Sequence, residues 1–391
     1  MKLRIAVVWA MVLLGGAGAA FAEGFVLSGT LDSTVSFAAG AGPFFSFNIE
    51  EYANLRMQTK IKDRAVFYGA FNAIAASGTS VRTAAALGLL QNADPVGLVP
   101  SPFVAGENYA AALELERLYF RLNGGYADID AGLMRLAFGY GQAWGPSDFL
   151  NPRNPLFPDA RPRAILGSAV SFYPVDTVKL LAFGAAPKNP LNGGGEGFLF
   201  GLSGDKHWDR ASLQVLYAYE TPAEALRGIH RGGLSLKAEL ELGFVADLLY
   251  TYDDEAKTGV EGLAAAAGFD YSFFDGDFYI LAEYLYSGAA STTALTGGGR
   301  LSNRHYLYGM ILYRLNDYTN FSLACIAGFD DLSFAPILGA EYELFQGLTL
   351  SLSGQVPLDR DTFSGDGNRG ELGPGEPKRN CIITAKARLR L

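Results

Sequence analysis

The sequence predicts an all-β fold, a single transmembrane antiparallel up-and-down β-barrel of about 18 strands after a cleaved signal peptide, with about 16 as the alternative count. Three observations support this prediction. Apolar and polar residues alternate along many segments, these segments are longer than ordinary strands, and the connections between them alternate between long and short.

The start of the chain has the layout of a secretory signal peptide. Two cations precede an apolar run that ends at Leu14, and Ala20-Phe21-Ala22 precedes Glu23. A charged start, an apolar middle and an A-x-A cleavage site are typical of an export signal. The apolar run is shorter than the roughly 20 residues that a membrane-spanning helix needs. We therefore expect residues 1–22 to be removed and residues 23–391 to form the barrel.

The composition leaves two architectures open. The sequence is 49% hydrophobic with 27 Phe and 20 Tyr, yet it has no further run of about 18 apolar residues. So much apolar surface needs either a large soluble β core or a barrel whose outer face contacts lipid. Cys325 and Cys381 are too few for a disulfide framework, and their apolar-phase positions indicate small side chains that face lipid. The net charge of −9 argues against nucleic acid as a partner.

Alternation of period two is the main secondary-structure signal. It is cleanest in four runs of about 10 to 13 residues, whereas ordinary strands have about 5 or 6 and a tilted membrane strand has about 9 to 11. A charged side chain on the lipid face costs up to about 4 kcal/mol at mid-bilayer, so the apolar face must point outward. The strand at Leu113–Leu122 changes phase near Glu116 and Arg117, which indicates a β-bulge. The four runs are 25–37, 242–253, 333–344 and 381–391.

The connections sort by length. Long ones alternate with tight turns along the chain, and the short connection at Asp330-Asp331 is the exception. A membrane barrel has short turns at one rim and long loops at the other, while a soluble β-sandwich has no reason to sort them. The predicted long connections are 38–45, 77–108, 138–163, 187–196, 220–230, 253–261, 287–304 and 357–380, and the predicted tight turns lie near 59–63, 123–125, 174–176, 206–209, 239–243, 274–277, 315–317 and 345–347.

These features together resemble the bacterial outer-membrane porins. The tract Trp144–Pro152, WGPSDFLNP, is similar to a W-G-x-x-D-x-x-N-P tract of several porin-like families. A count of about 18 strands is similar to the substrate-specific porins, but the chain ends in Leu391 where porins commonly end in an aromatic residue. The resemblance implies an outer-membrane channel for passive diffusion of small hydrophilic solutes. It also implies outer-membrane lipid and the barrel-insertion machinery as partners, and it leaves a homo-oligomer open.

The connection at Phe138–Arg163 is the most informative one. It contains five prolines, which stiffen the backbone and prevent regular strand pairing. We hypothesise that it folds inward as a pore constriction whose arginines face the solute. A rigid external cap with solvated charges is the alternative. The candidate constriction residues are Trp144, Asp148, Arg153, Asp159, Arg161 and Arg163.

Charged residues also fall on the polar faces of the predicted strands. We expect them to line the inside of the barrel, either around an open pore or paired with one another in a plug that leaves no pore. The candidate pore-lining residues are Glu50, Arg56, Glu114, Arg121, Asp128, Asp130, Lys237, Asp247, Asp270, Glu283, Glu341, Glu343, Lys386 and Arg388.

The sequence gives little indication of catalysis or metal binding. The histidines, His207, His230 and His305, match no metal-ligand spacing, and Gly201–Asp205 lacks the spacing of a nucleophile elbow. We therefore expect no enzyme activity, no catalytic residue, no cofactor and no metal. Two alternatives to the channel remain. One is a non-conducting barrel with surface-exposed binding or adhesin loops, and the other is a hydrophobic-solute transporter, a design that usually needs an N-terminal plug.

Overall fold

A computed structural model describes most of the chain. No helix in the described residues is long and apolar enough to cross a membrane. A short helix, α1 at Arg360–Ser364, begins with a capping box in which Asp359 accepts a hydrogen bond from the backbone N–H of Thr362. The predicted signal peptide lies outside the described residues, which are 24–40, 45–62, 64–79, 81–82, 103–151, 155, 164–186, 197–221, 228–254, 258–288, 303–365, 370–374 and 381–391.

The strands of the described residues form one closed antiparallel sheet. The short strand β4 pairs only with β5, so 18 strands make the wall of the barrel. The strands are β1 Phe25–Ala39, β2 Phe45–Ile61, β3 Ala65–Gly78, β4 Phe103–Ala105, β5 Tyr109–Gly124, β6 Ala127–Met134, β7 Ile165–Val175, β8 Val178–Ala186, β9 Leu199–Trp208, β10 Ala211–Glu220, β11 Ile229–Glu239, β12 Gly243–Asp253, β13 Leu263–Phe273, β14 Phe278–Ser287, β15 His305–Asn316, β16 Thr319–Gly328, β17 Ser333–Phe345, β18 Leu348–Gln355 and β19 Cys381–Arg390.

The order of the wall strands is up-and-down. Each wall strand pairs with the wall strands before and after it in the chain, and β1 closes the ring by pairing with both β2 and β19. The wall strands have 8 to 17 residues, and most are long enough to cross a bilayer when tilted. The predicted fold class and the predicted count of about 18 strands are both confirmed.

Alternate side chains of each strand face opposite sides of the wall. In β12, Phe244 and Leu248 are exposed, while Asp247 between them is buried. Paired residues of antiparallel strands share a face, so the exposed Phe, Leu, Tyr and Val side chains form one outward belt around the ring. Such a belt is the surface of a barrel that is embedded in lipid. The outward positions include Cys325 and Cys381, as their apolar phase predicts.

The predicted bulge lies in β5. Ala70 pairs with Arg117 and Phe71 pairs with Leu115, so Glu116 is the extra residue on the bulged strand. The bulge changes the phase of β5 and brings Glu116 and Arg117 to the inside together.

The connections confirm the predicted sorting by length. Tight turns follow β2, β5, β7, β9, β11, β13, β15 and β17, at what we call the short-turn rim. Lys62, Asp275 and Gly347 have positive φ values of 48°, 56° and 93°, the left-handed conformation that tight turns need. The opposite rim, which we call the long-loop rim, carries the longer connections. The connection between β16 and β17 is the predicted short exception at this rim.

Candidate functional site

The connection between β6 and β7 enters the barrel instead of staying at the long-loop rim. β6 ends at Met134, and residues 135–151, which we call the inward segment, run along the inner faces of β7 to β15. The wall side chains that this segment contacts alternate with the exposed apolar belt, so they face inward. The inward segment therefore lies inside the barrel.

Glu283 of β14 is the main polar anchor of the inward segment. Its carboxylate accepts hydrogen bonds from three successive backbone N–H groups, that of Gln142 at 2.6 Å and those of Ala143 and Trp144 at 2.8 Å. Glu283 is 1% exposed, so these charge-assisted hydrogen bonds replace water around a buried carboxylate. The Gln142 side chain also donates to Asp270 at 3.0 Å. This short stretch of backbone is thereby fixed to β13 and β14.

A second polar anchor joins the inward segment to β11 and β12. The hydroxyl of Ser147 donates to the carboxylate of Asp247, which also accepts from Ser235 at 2.8 Å. Gly139 has a φ of +78°, and a Cβ at this position would collide with the same carboxylate. The backbone N–H of Gly139 donates to Gln214 of β10 at 2.7 Å. Glycine is required here because the backbone lies directly on Asp247.

Apolar contacts fix the segment at two points. Phe138 is buried, and its ring centroid lies 5.3 Å from that of Phe183 on β8. Trp144 is also buried, with its ring centroid 5.7 Å from that of Tyr306 on β15. Each pair belongs to a larger apolar cluster on the inner wall. Parts of the inner wall are therefore apolar because protein, not water, covers them.

The WGPSDFLN part of the tract, residues 144–151, supplies several of these anchors. The backbone N–H of Asp148 donates to the carbonyl of Gly145, and that of Asn151 donates to the carbonyl of Asp148, both at 2.9 Å. The Asn151 side chain donates to the carbonyl of Leu136 at 2.5 Å, which ties the tract to the start of the inward segment. The tract thus forms compact turns that hold the segment against the wall.

The described residues include only part of the candidate constriction. Trp144 and Asp148 are 4% and 3% exposed, so both side chains are buried in the packing of the inward segment and do not face the lumen. The other candidates, Arg153, Asp159, Arg161 and Arg163, lie outside the described residues. That this connection narrows a pore stays a prediction.

The candidate pore-lining residues all occupy inward-facing positions of the wall. Some meet an opposite charge, since Arg388 donates to Asp32 at 2.9 Å and Arg121 donates to Asp130 at 2.6 Å. Their role in conduction stays a prediction. These inward positions are Glu50, Arg56, Glu114, Arg121, Asp128, Asp130, Lys237, Asp247, Asp270, Glu283, Glu341, Glu343, Lys386 and Arg388.

Several inward residues were not among the sequence candidates. Asn54 donates to Asn72 at 2.6 Å, and both are buried. Glu116 lies 2.6 Å from Arg135 and 3.3 Å from Arg117. The two asparagines share the phase of the charged lumen residues, and a search for all polar residues in that phase would have found them. Glu116 and Arg117 required the bulge to be placed at its exact residue.

The inner wall opposite the polar anchors is hydrophilic. It consists of the inward faces of β18, β19, β1, β2 and β3, which we call the open wall. A cavity of about 410 Å³ lies against it. Hydroxyl groups are the commonest polar groups of its lining, beside one amide, one carboxylate and one ammonium group, and Ile49, Ala76 and Val81 are its apolar members. The polar lining residues are Thr34, Ser36, Asn48, Glu50, Ser77, Ser351, Ser353, Thr384 and Lys386.

Part of the last connection also packs on the inner wall. Leu372 is buried in the same apolar cluster as Trp144 and Tyr306. Glu371 accepts from the hydroxyl of Tyr306, and its backbone N–H donates to Asp331 at 2.6 Å. These carboxylates are held by protein donors. Within the described residues, no group of three or more His, Cys, Asp or Glu side chains is placed to hold a metal ion.

Two titratable groups of the inward segment have shifted pKa values. Burial raises the pKa of Tyr140 to about 12, and the negative charge of Asp205 adds to this shift, so the hydroxyl stays protonated at neutral pH. Burial also lowers the pKa of Arg135, while Glu116 favours the charged guanidinium and opposes the shift.

Solved structures match the fold of the chain. No protein-family model matches it, and no curated protein matches its sequence. OccK2 (OpdF) of Pseudomonas aeruginosa is 10% identical with a TM-score of 0.58, covering 95% of this chain and 98% of that chain. OccAB3 of Acinetobacter baumannii is 11% identical with a TM-score of 0.56, covering 94% and 99%. OccAB4 of the same organism is 10% identical with a TM-score of 0.55, covering 95% and 98%. The chain therefore has the fold of the Occ/OprD outer-membrane porins, an 18-stranded closed β-barrel.

Proposed function

We propose that the protein is an outer-membrane channel through which small hydrophilic solutes diffuse passively. The division of the lumen into two sides is the observation that supports this most. The inward segment packs on one side, and the open wall presents hydroxyl groups and charges of both signs around a cavity of about 410 Å³. A hydrophilic solute can exchange part of its hydration for such groups as it passes.

The position of the inward segment supports a role as the constriction of this channel. Its anchors hold residues 139–151 against the wall, and Arg153 lies two residues further along the chain. Deletion of residues 146–160 is expected to raise the single-channel conductance and to change the ion selectivity, because fixed charge and width at the narrowest point determine both. If both quantities stay unchanged, the connection is a cap and not a constriction.

Three further assignments belong to this proposal. Residues 1–22 are removed on export, which the N-terminal sequence of protein purified from the outer membrane tests directly. The barrel-insertion machinery then assembles the chain in the outer membrane, with lipid against the outward belt. Transport of this kind uses no enzyme activity and no cofactor, as expected from solved structures that are porins.

Planar-bilayer recording of the purified, refolded protein tests the channel. Discrete open-channel steps with a linear current–voltage relation are expected. Persistent silence of a protein with the circular dichroism spectrum of a folded barrel would contradict the proposal, and it would favour a non-conducting barrel that binds through its loops.

A matched pair of variants on β1 links conductance to the open wall. Ser36 lines the cavity, while the neighbouring Val35 faces outward. Ser36→Trp should lower the conductance because the indole ring fills part of the lumen, and Val35→Trp should leave it unchanged. Equal effects of the two substitutions would mean that the open wall is not the conducting path.

A further inference from the structure

The cavity at the open wall is lined by a register row without charge. Ser353 of β18 pairs with Thr384 of β19, which pairs with Ser36 of β1. Ser36 in turn pairs with Asn48 of β2, and all four side chains line the cavity. Neighbouring strands lie about 4.8 Å apart, so this row, which we call the neutral row, carries an uncharged hydrogen-bonding group on each strand over about 14 Å.

The hydroxyl groups of the neutral row are open to the lumen. Ser36, Ser353 and Thr384 are half-buried, and within the described part of the chain their hydroxyls make no hydrogen bond. A hydroxyl group both donates and accepts, and its hydrogen rotates to suit its partner. Each of these three groups can therefore take either role toward a solute.

The charges beside the neutral row oppose one another. In the next row toward the short-turn rim, Lys386 and Glu50 lie on either side of Thr34. Both charged side chains also take part in interactions within the protein. An ion that enters the cavity is attracted by one of these charges and repelled by the other, and it loses part of its hydration. The cavity therefore gives an ion little net attraction to offset that loss.

The apolar part of the lining is small. Ala76 and Val81 lie at the cavity, and none of the described residues that line it is aromatic. A flat platform on which a sugar ring could stack is therefore absent from this part of the lumen. Hydrogen bonding is left as the means by which the wall can recognise a solute, with room for the C–H groups of that solute against Ala76 and Val81.

We propose that the neutral row binds small uncharged polyols, compounds that carry a hydroxyl group on most of their carbon atoms. The hydroxyls of a polyol also donate and accept, so the neutral row can replace the hydrogen bonds to water that such a solute loses. The cavity of about 410 Å³ limits the site to small members of this class. This inference names the class of solute for the proposed function, on which it rests.

Three probes with the same six-carbon chain test the preference for an uncharged solute. Sorbitol is neutral, gluconate carries a carboxylate and glucamine carries an ammonium group. Saturation-transfer NMR on the purified, refolded protein in a mild detergent measures the binding of each probe. Sorbitol should bind about threefold or more tightly than either ion. Equal or tighter binding of gluconate or of glucamine would overturn the proposal.

Removal of the hydroxyls tests the position of the site. A triple variant with Ser36→Ala, Ser353→Ala and Thr384→Val removes three hydroxyls of the neutral row and nearly keeps the outline of each side chain. Sorbitol should bind to this variant about tenfold more weakly than to the wild type. Circular dichroism establishes that the variant is folded. Unchanged binding of sorbitol would overturn the proposal.

A matched variant controls for the number of hydroxyls removed. Ser28→Ala, Thr30→Val and Thr349→Val together remove three inward hydroxyls of β1 and β18 that lie nearer the short-turn rim and outside the cavity lining. Sorbitol should bind to this variant as it binds to the wild type. Equal weakening in the two triple variants would place the binding outside the neutral row and overturn the proposal.

Conductance recorded on the same samples distinguishes this proposal from the proposed function. Sorbitol binding that depends on the neutral row, in a protein that never conducts, would support the site and contradict the channel. A protein that conducts but does not bind sorbitol would support the channel and overturn the site.

Discussion

Arg388 of the last strand and Asp32 of the first strand form a two-pronged ion pair across the seam where the barrel closes. The Nε and Nη2 atoms of Arg388 each donate to one carboxylate oxygen of Asp32 at 2.9 Å. Asp32 is buried, and the pair occupies an inward row of the β1–β19 register. A bidentate contact of this kind fixes one register of the closing strands, in addition to the backbone ladder.

Removal of this ion pair should weaken the closed barrel. Asp32→Asn leaves Arg388 without its opposite charge, and we expect a loss of about 1–3 kcal/mol in the free energy of unfolding. Arg388→Met and the double variant complete a double-mutant cycle, which isolates the interaction from the other effects of each substitution. Urea unfolding in detergent micelles measures the free energy of unfolding of each variant in the cycle. A coupling energy close to zero would mean that the backbone ladder alone sets the register.

Much of the fold could be predicted because the signals that determine it are local. The period-two pattern placed Glu283 on the inside of β14, and the lengths of the connections placed the turns. The partners of Glu283 are the N–H groups of residues 142–144, about 140 positions away in sequence. This contact depends on the path of an irregular connection, for which alternation gives no signal. The WGPSDFLNP resemblance marked the right tract without showing which atoms meet the wall.

Glu283 offers a direct test of how the inward segment is held. Glu283→Gln removes the negative charge that three backbone N–H groups share, and it should weaken docking of the segment by about 2 kcal/mol. Hydrogen exchange of the amides at 142–144 should then become roughly thirtyfold faster. Glu343→Gln is the control, an inward carboxylate near the short-turn rim. Unchanged exchange in Glu283→Gln would show that apolar packing alone holds the segment.

Trp144 is the large apolar side chain by which the middle of the segment packs on the inner wall. Trp144→Ala removes a buried ring from the cluster that contains Tyr306, a change that costs about 3–5 kcal/mol at a core position. We expect the single-channel current to become noisier, with a higher mean conductance, because the segment leaves the wall more often. Trp208→Ala provides the comparison, since Trp208 is 53% exposed on the outward face near the short-turn rim. A quiet current in both variants would argue that the segment does not control the pore.

Adjacent positions on β18 test the assignment of inside and outside. Leu352 is 55% exposed in the outward belt, whereas Ser353 lines the cavity at the open wall. Leu352→Arg places a cation against lipid and should lower the free energy of unfolding in bilayers by about 2–4 kcal/mol. Ser353→Arg places the same cation in water and should change the free energy of unfolding little. It should also increase the permeability to anions relative to cations. If Ser353→Arg were the less stable of the two variants, the assignment of the inward and outward faces of β18 would be wrong.

A substitution of Lys386 tests whether the open wall determines the charge selectivity of the channel. Lys386 pairs with Thr34 in the strand register, and Thr34 pairs with Glu50 on its other side. All three side chains line the cavity. Lys386→Glu changes the local charge by about two units, so the permeability ratio of K⁺ to Cl⁻ should rise about threefold or more. The reversal potential in a KCl gradient measures this ratio.

Lys62→Glu makes the same change in net charge in a turn at the short-turn rim, where φ is 48°. Because that turn lies away from the cavity, the reversal potential of Lys62→Glu should match that of the wild type. Equal shifts in the two variants would mean that selectivity follows the total charge of the protein and not the residues that line the open wall.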